Sequence, residues 1–411
     1  MINSKIFRIF KIEGFIGIYK RIGARISIIA YIIPNYISKL FYRKFYFHYG
    51  LWGRANAGDT VLFEEVENTF NIYLKKNRWF IRSLHKGEIT QEDVDFINKR
   101  GKALILGGGG LILADTNRNE NSGWQFNISI ENLKKIRIPI IVFAIGYNKF
   151  RNQSEFIPIF NEHISTLIQK SIFFGLRNYG SIEAIKNYIP EELHEKVKLQ
   201  PCPTNILTYL KPKYKSPFNS SKFKRIAICI ALDRFEMRFG KNSELFFNNL
   251  LEFSKCLRGK GLTVDYVIHL ASEMEHPLIK RIEANGFKIV RLYISSVKHV
   301  LSYYSKVSFV FGMRGHSLMI PYGLGVPIIS LTTHLKQSWF LETIGHPEWG
   351  IDVLDENFIN KLEKNFNEMN TNYAHIKKEI LGSQKLLYNL TTNNMNTIIK
   401  QIEPNNGHRN F

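Results

Sequence analysis

Short runs of β-branched and apolar residues alternate with longer amphipathic segments from about residue 100 to residue 331. This alternation restricts the chain more than any other feature. Parallel strands need a crossover of a dozen or more residues, usually a helix, so the pattern predicts parallel sheets covered on both faces. Residues 102–106, 138–145, 171–175 and 197–199 read as strands of one unit, and 225–232, 263–270, 287–292, 307–311 and 327–331 as strands of a second. The two are separated at 211–221, where Pro, Ser and Asn gather. The expected division is a first unit over 51–210 and a second over 222–355, with helices and a frayed tail over 356–411. At 411 residues, with 45% hydrophobic content, two such cores are affordable.

The first fifty residues read differently. They hold nine Lys and Arg against one acid, Glu13, interleaved with Ile, Phe and Tyr near helical spacing. A basic amphipathic segment over 1–50 is expected, lying on an anionic membrane surface or packed as a helical hairpin on the protein body. Its longest uncharged apolar stretch, 26–37, is broken by Pro34 and falls short of the roughly 20 residues a spanning helix needs. No convincing cleavage site follows, so an exported signal peptide is not expected. The whole chain carries 56 Lys and Arg against 35 Asp and Glu, a formal charge of +21. That excess favours a polyanionic partner. RNP-like, zinc-finger and helix-turn-helix signatures are missing, so no nucleic-acid partner is expected. Cys202, Cys229 and Cys256 are odd in number and widely spaced, which indicates neither a disulfide framework nor a metal site and suits a reducing cytoplasm.

Several loops fall where a strand should give way to a helix, the place where open α/β sheets bind ligands. Arg314-Gly315-His316-Ser317 follows the strand 307–311. A helix expected from about Leu318, with Ser317 as its N-cap, would offer free amides to an anion. Gly315 allows close approach, Arg314 can grip two oxygens, and His316 beside a bound anion would stay protonated. A capped surface histidine and a salt-bridged arginine fit the tetrapeptide equally well. Asn56-Ala57-Gly58-Asp59 precedes a helix expected over 60–70, which Asp59 would cap. Gly107 to Gly110 directly follow a strand but lack GxGxxG and P-loop spacing. Gly175-Leu176-Arg177-Asn178-Tyr179-Gly180-Ser181 offers a second anion ligand in Arg177.

Two further clusters read as structural. Asp93-Val94-Asp95 has the form of a metal-binding DxD, yet Thr90 and Asp93 have capping-box spacing, so a helix start is expected. His269, Glu273, Glu275 and His276 could hold a metal, but a solvated loop is the expectation and no metal is predicted. His334 and Lys336 follow another strand end within reach of an anion.

Taken together, Asn56 to Asp59, Gly107 to Gly110, Ile145-Gly146, Gly175 to Ser181 and Arg314 to Ser317 resemble the polysaccharide pyruvyl transferase family across about residues 52–345. The resemblance implies an α/β fold of two Rossmann-like domains facing across a cleft (GT-B-like), phosphoenolpyruvate as donor and a sugar as acceptor, without a further cofactor. It carries Arg177, Arg314 and His316 over as donor-site residues. His316 would be the general acid, with Asp59 as base or acceptor ligand. Asn56, Gly108, Gly109, Gly315, Ser317 and Lys336 are expected around the substrates. With the basic start, it implies a lipid-linked or polymeric acceptor met at the inner face of the cytoplasmic membrane. A nucleotide-sugar glycosyltransferase and a non-catalytic polyanion or membrane adaptor remain open at this point.

Overall fold

The structure is a computed structural model that describes residues 44–403, apart from 53–54, 75–76, 152 and 218–224. Residues 1–43 of the basic segment, the end of the expected linker and the tail from 404 lie outside the described residues.

Two six-stranded, wholly parallel sheets form the body. The first contains β1 (Phe45–Gly50), β2 (Trp79–Ser83), β3 (Gly101–Ile112), β4 (Ile140–Tyr147), β5 (Ser171–Leu176) and β6 (Val197–Leu199), in the order β2-β1-β3-β4-β5-β6. The second contains β7 (Arg225–Cys229), β8 (Thr263–Ile268), β9 (Lys288–Arg291), β10 (Phe309–Gly312), β11 (Ile328–Thr332) and β12 (Gly350–Asp352), in the order β12-β11-β10-β7-β8-β9. Central strands such as β4, Ile-Ile-Val-Phe-Ala-Ile-Gly-Tyr, are buried along their whole length, as strands covered on both faces require.

β1 departs from the sequence reading. Its six residues fall inside the segment expected to be amphipathic helix, yet they form an entirely buried inner strand. Four aromatics with His48 give apolar bulk to both sides of the strand, and that composition suits a sheet interior better than a one-faced helix.

Each sheet reverses its winding once, which fixes a switch point where a crevice opens beyond the carboxyl ends. In the first sheet the reversal separates β1 from β3; in the second it separates β7 from β10. A continuous apolar core runs from one face of the first sheet into the second domain, and a separate core covers the other face. The helix Tyr373–Ile402 ties the domains together. Near its start Tyr373 donates to the Ser308 carbonyl at 3.2 Å, and further along Asn394 donates to the Leu199 carbonyl at 2.8 Å.

Candidate active site

The junction after β10 is built around a short helix, Gly315–Gly323. It starts three residues earlier than the sequence suggests, so Ser317 lies inside the first turn and is not the cap. The Ser317 hydroxyl reaches back, accepting from the Arg314 amide at 3.1 Å and donating to the Arg314 carbonyl at 2.9 Å. Arg314 therefore occupies the capping position with its backbone pinned. Its guanidinium spans the second switch point: Nη2 donates to Asp233 Oδ1, beyond β7, at 2.5 Å and to Glu273, beyond β8. Burial opposes its charge, but Glu273 and Asp233 hold it protonated beyond its ordinary range. Buried ion pairs of this kind fix geometry. One terminal nitrogen of Arg314 is thus committed to the protein.

The loop after β1 crosses to the second domain. The Ala57 amide donates to the His269 carbonyl at 2.9 Å, and the Ala271 amide donates to the Ala55 carbonyl at 3.0 Å. Asn56 and Leu270 sit opposite one another in this antiparallel contact. Asn56, not Asp59, caps the helix Ala57–Tyr73, its Oδ1 accepting from the amides of Gly58 and Asp59. The difference has a chemical consequence. Asn56 also donates to Asp59 Oδ2 at 2.8 Å, which turns the other carboxylate oxygen toward His316 Nδ1, 3.7 Å away. Gly58 permits this approach, because any side chain there would strike the imidazole.

Arg177 enters from the end of β5. Its amide donates to the Ile145 carbonyl at 2.9 Å, and its side chain lies over Gly146, where a Cβ would collide with the guanidinium. Gly110 also adjoins it, beside Asn148. Arg177 is only 4% exposed, and its Nε and Nη2 have no partner in the protein. Burial lowers its pKa, with Asp59 opposing. Lys336 joins from the first turn of the helix Leu335–Thr343, with its Cε facing Gly315.

Burial first, and then its neighbours, set the state of His316. Burial, Arg177, Lys336 and His269 hold its imidazole well below the usual range, so it is neutral near pH 7 when no anion is bound. Lys336 is depressed likewise, by burial first and then by Arg177 and Arg238. The protonated His316 expected from the sequence thus requires the charge of a bound anion.

Other expectations are redistributed. Gly108 and Gly109 have φ of +72° and +100° and lie inside β3, just before a bulge between Gly109 and Ile112; they do not form a loop beyond the strand. Gly108 packs on Leu62 and, with Gly107, lines a crevice shared with Asp59, Leu51 and Phe63. Gly110 is the member of the run that meets Arg177. His269 and Glu273 are buried, which corrects the solvated-loop reading: His269 Nε2 lies 2.7 Å from the Tyr304 hydroxyl, and Glu273 holds Arg314. Thr90 and Asp93 form the expected capping box. Among the described residues, no group of three or more His, Cys, Asp or Glu is arranged to hold a metal ion.

Two contributors were not legible beforehand. Asp233 is a single acid in a loop, with nothing local to connect it to Arg314. Cys202 was weighed only for disulfide and metal spacing, yet its Sγ lies 3.9 Å from His316 Nε2. Its flanking prolines, just past a strand end, were the available signal.

The sequence pattern that defines the polysaccharide pyruvyl transferases matches residues 27–334, most of the chain. The chain belongs to this family. No curated protein matches this pyruvyl transferase family member significantly in sequence. Solved structures share its fold. UDP-GlcNAc 2-epimerase from Neisseria meningitidis, bound to UDP-GlcNAc, superposes with a TM-score of 0.53 at 12% identity, covering 88% of this chain and 100% of that one. A UDP-N-acetylglucosamine 2-epimerase candidate from Listeria monocytogenes gives 0.52 at 11% identity, covering 90% and 99%. At such identities the likeness concerns the two-domain GT-B architecture alone.

Proposed function

We infer that this family member transfers the pyruvate unit of phosphoenolpyruvate to a hexose, closing a ketal across O4 and O6 and releasing phosphate. The observation that carries the reading is the buried Arg177 guanidinium, whose Nε and Nη2 lack protein partners and which lies among the groups that depress His316 and Lys336. A buried cation left open in this way is matched by an anion.

Arg177 and Lys336 hold the phosphate and carboxylate, assisted by the amides at the start of Gly315–Gly323. Arg314, pinned by Asp233 and Glu273, fixes that helix start and adds positive potential. The donor's charge raises His316, which then protonates the methylene carbon. The adjacent carbon becomes electrophilic, O4 attacks and loses its proton, phosphate departs, and O6 closes the ring with loss of its own proton. Asp59, bordering the first-domain crevice, is placed to take a hydroxyl proton. The basic stretch over residues 1–43 supports an acceptor carried on a lipid at the inner membrane surface. Among the described residues no helix is long and apolar enough to cross a membrane.

The test is phosphate release from phosphoenolpyruvate against lipid-linked and simple galactosides, mannosides and N-acetylhexosamines, followed by product mass. A pyruvate ketal mass confirms the reaction. Release of a nucleoside diphosphate from a nucleotide sugar would replace it with glycosyl transfer.

A further inference from the structure

Cys202 is fully buried just beyond β6, between Pro201 and Pro203. Its Sγ lies 3.0 Å from Thr204 Oγ1 and 3.9 Å from His316 Nε2. On the far side of the same ring, Nδ1 faces Asp59 Oδ1 at 3.7 Å, and Asn56 holds the second oxygen of Asp59. Thr204, Cys202, His316, Asp59 and Asn56 thus form one line of polar groups crossing both domains.

The chemistry of the groups dictates where the protons lie. An ionised Asp59 only accepts and so favours a proton on the His316 nitrogen facing it, but at 3.7 Å it is beyond hydrogen-bond reach and does not fix the tautomer alone. A neutral ring then presents its lone pair at Nε2, toward the sulfur. The thiol is left as donor to Nε2, and the Thr204 hydroxyl as donor to sulfur. The groups around the ring are the cations Arg177 and Lys336 and the buried His269, which burial holds neutral, with Asp59 at Nδ1 and Cys202 at Nε2. A second observation marks the place as a ligand site: the open Nε and Nη2 of Arg177, a side chain only 4% exposed. Both ring contacts are long, as catalytic contacts are before a ligand draws them together.

We propose that Cys202 is a positioning residue for His316. Its thiol donates to Nε2 and so holds the ring in the Nδ1–H tautomer and in its orientation in the empty site. Burial keeps the thiol protonated, which suits a fixed donor. Only the effect on turnover rests on the pyruvyl transfer reading.

The test uses the full chain with 15N-labelled histidine, as wild type, C202S, C202A and C202V. Long-range 1H–15N spectra of the substrate-free protein are expected to show Nδ1–H for His316 in wild type and C202S, and mixed tautomers in C202A and C202V. With phosphoenolpyruvate and acceptor, kcat of C202A falls about 10-fold or more, while KM for phosphoenolpyruvate stays within about two-fold. C202V fills the space without a donor and decides the matter if C202A folds poorly. An unchanged tautomer and an unchanged kcat in C202A and C202V overturn the proposal. A Cys202-dependent tautomer in a chain that performs no pyruvyl transfer sinks the functional reading and leaves the positioning role standing.

Discussion

Gly58, on the first domain, lies so close to His316, on the second, that a methyl group at position 58 would sit 2.5 Å from the His316 Cβ. The glycine is there for space, since its φ is not in the left-handed region. Gly58→Ala should improve helix propensity by about 1 kcal/mol and still push the catalytic pair apart. A displacement near 1 Å costs on the order of 100-fold in turnover. The expected outcome is a folded protein with kcat/KM down by about that factor. Unchanged turnover would mean that His316 can move without consequence.

The role proposed for Arg177 would be held at the expense of stability. A buried guanidinium with two unpartnered nitrogens is destabilising, and an apolar side chain of similar length relieves that burden. Arg177→Met is therefore expected to raise unfolding free energy by about 1 kcal/mol in urea and to weaken phosphoenolpyruvate binding about 100-fold by calorimetry. Lower stability with intact binding would assign Arg177 to packing.

Donor binding should take up protons. His316 and Lys336 are both held below their ordinary ranges in the empty site, by burial first and then by neighbouring cations, and an added anion raises both. Calorimetry near pH 7 in buffers of different ionisation enthalpy should show net uptake, and affinity should fall as pH rises. Proton release, or no exchange, would contradict the assigned states.

Glu65 offers a pH signature of stability away from the site. It is fully buried, neither carboxylate oxygen has a hydrogen-bond partner, and Lys211 Nζ lies 3.5 Å away. Burial raises its pKa from 4.5 to about 7, against the pull of Lys211. A folded-state pKa above the unfolded one means the native state holds its proton more tightly. The Glu65 contribution to stability is therefore fully present below about pH 4.5, declines as pH rises toward 7, and is then lower by on the order of 3 kcal/mol. Glu65→Gln should remove most of that decline, seen as a higher urea midpoint at pH 8 and little difference at pH 4.5. Parallel pH dependence in the two proteins would exclude Glu65 as its source.

Much of this architecture is written locally. The apolar runs of β3, β4, β7 and β10 announce themselves because inner parallel strands are apolar on both faces, and the Thr90–Asp93 box is a contact between near neighbours. β1 was hidden by basic residues upstream, and β12 by its three-residue length. The site was legible where one motif supplies a strand end and a helix start, as at Arg177 and His316. It was illegible where partners are distant in sequence. Nothing near Asp233 or Glu273 points to Arg314. Nothing near Asn56 shows that it, rather than Asp59, caps the helix and so turns the carboxylate toward an imidazole on the other domain.

The short antiparallel contact between residues 55–57 and 269–271 carries Asp59 to His316, so any parting of the two domains there would also separate that pair. With the domains parted, a donor would meet cations on the second domain but no carboxylate to receive a hydroxyl proton. Water arriving then would find an incomplete machine. Under the proposed reaction, the joint would withhold the reactive arrangement until both halves of the molecule have met, and so keep an energy-rich enol phosphate from being spent on solvent.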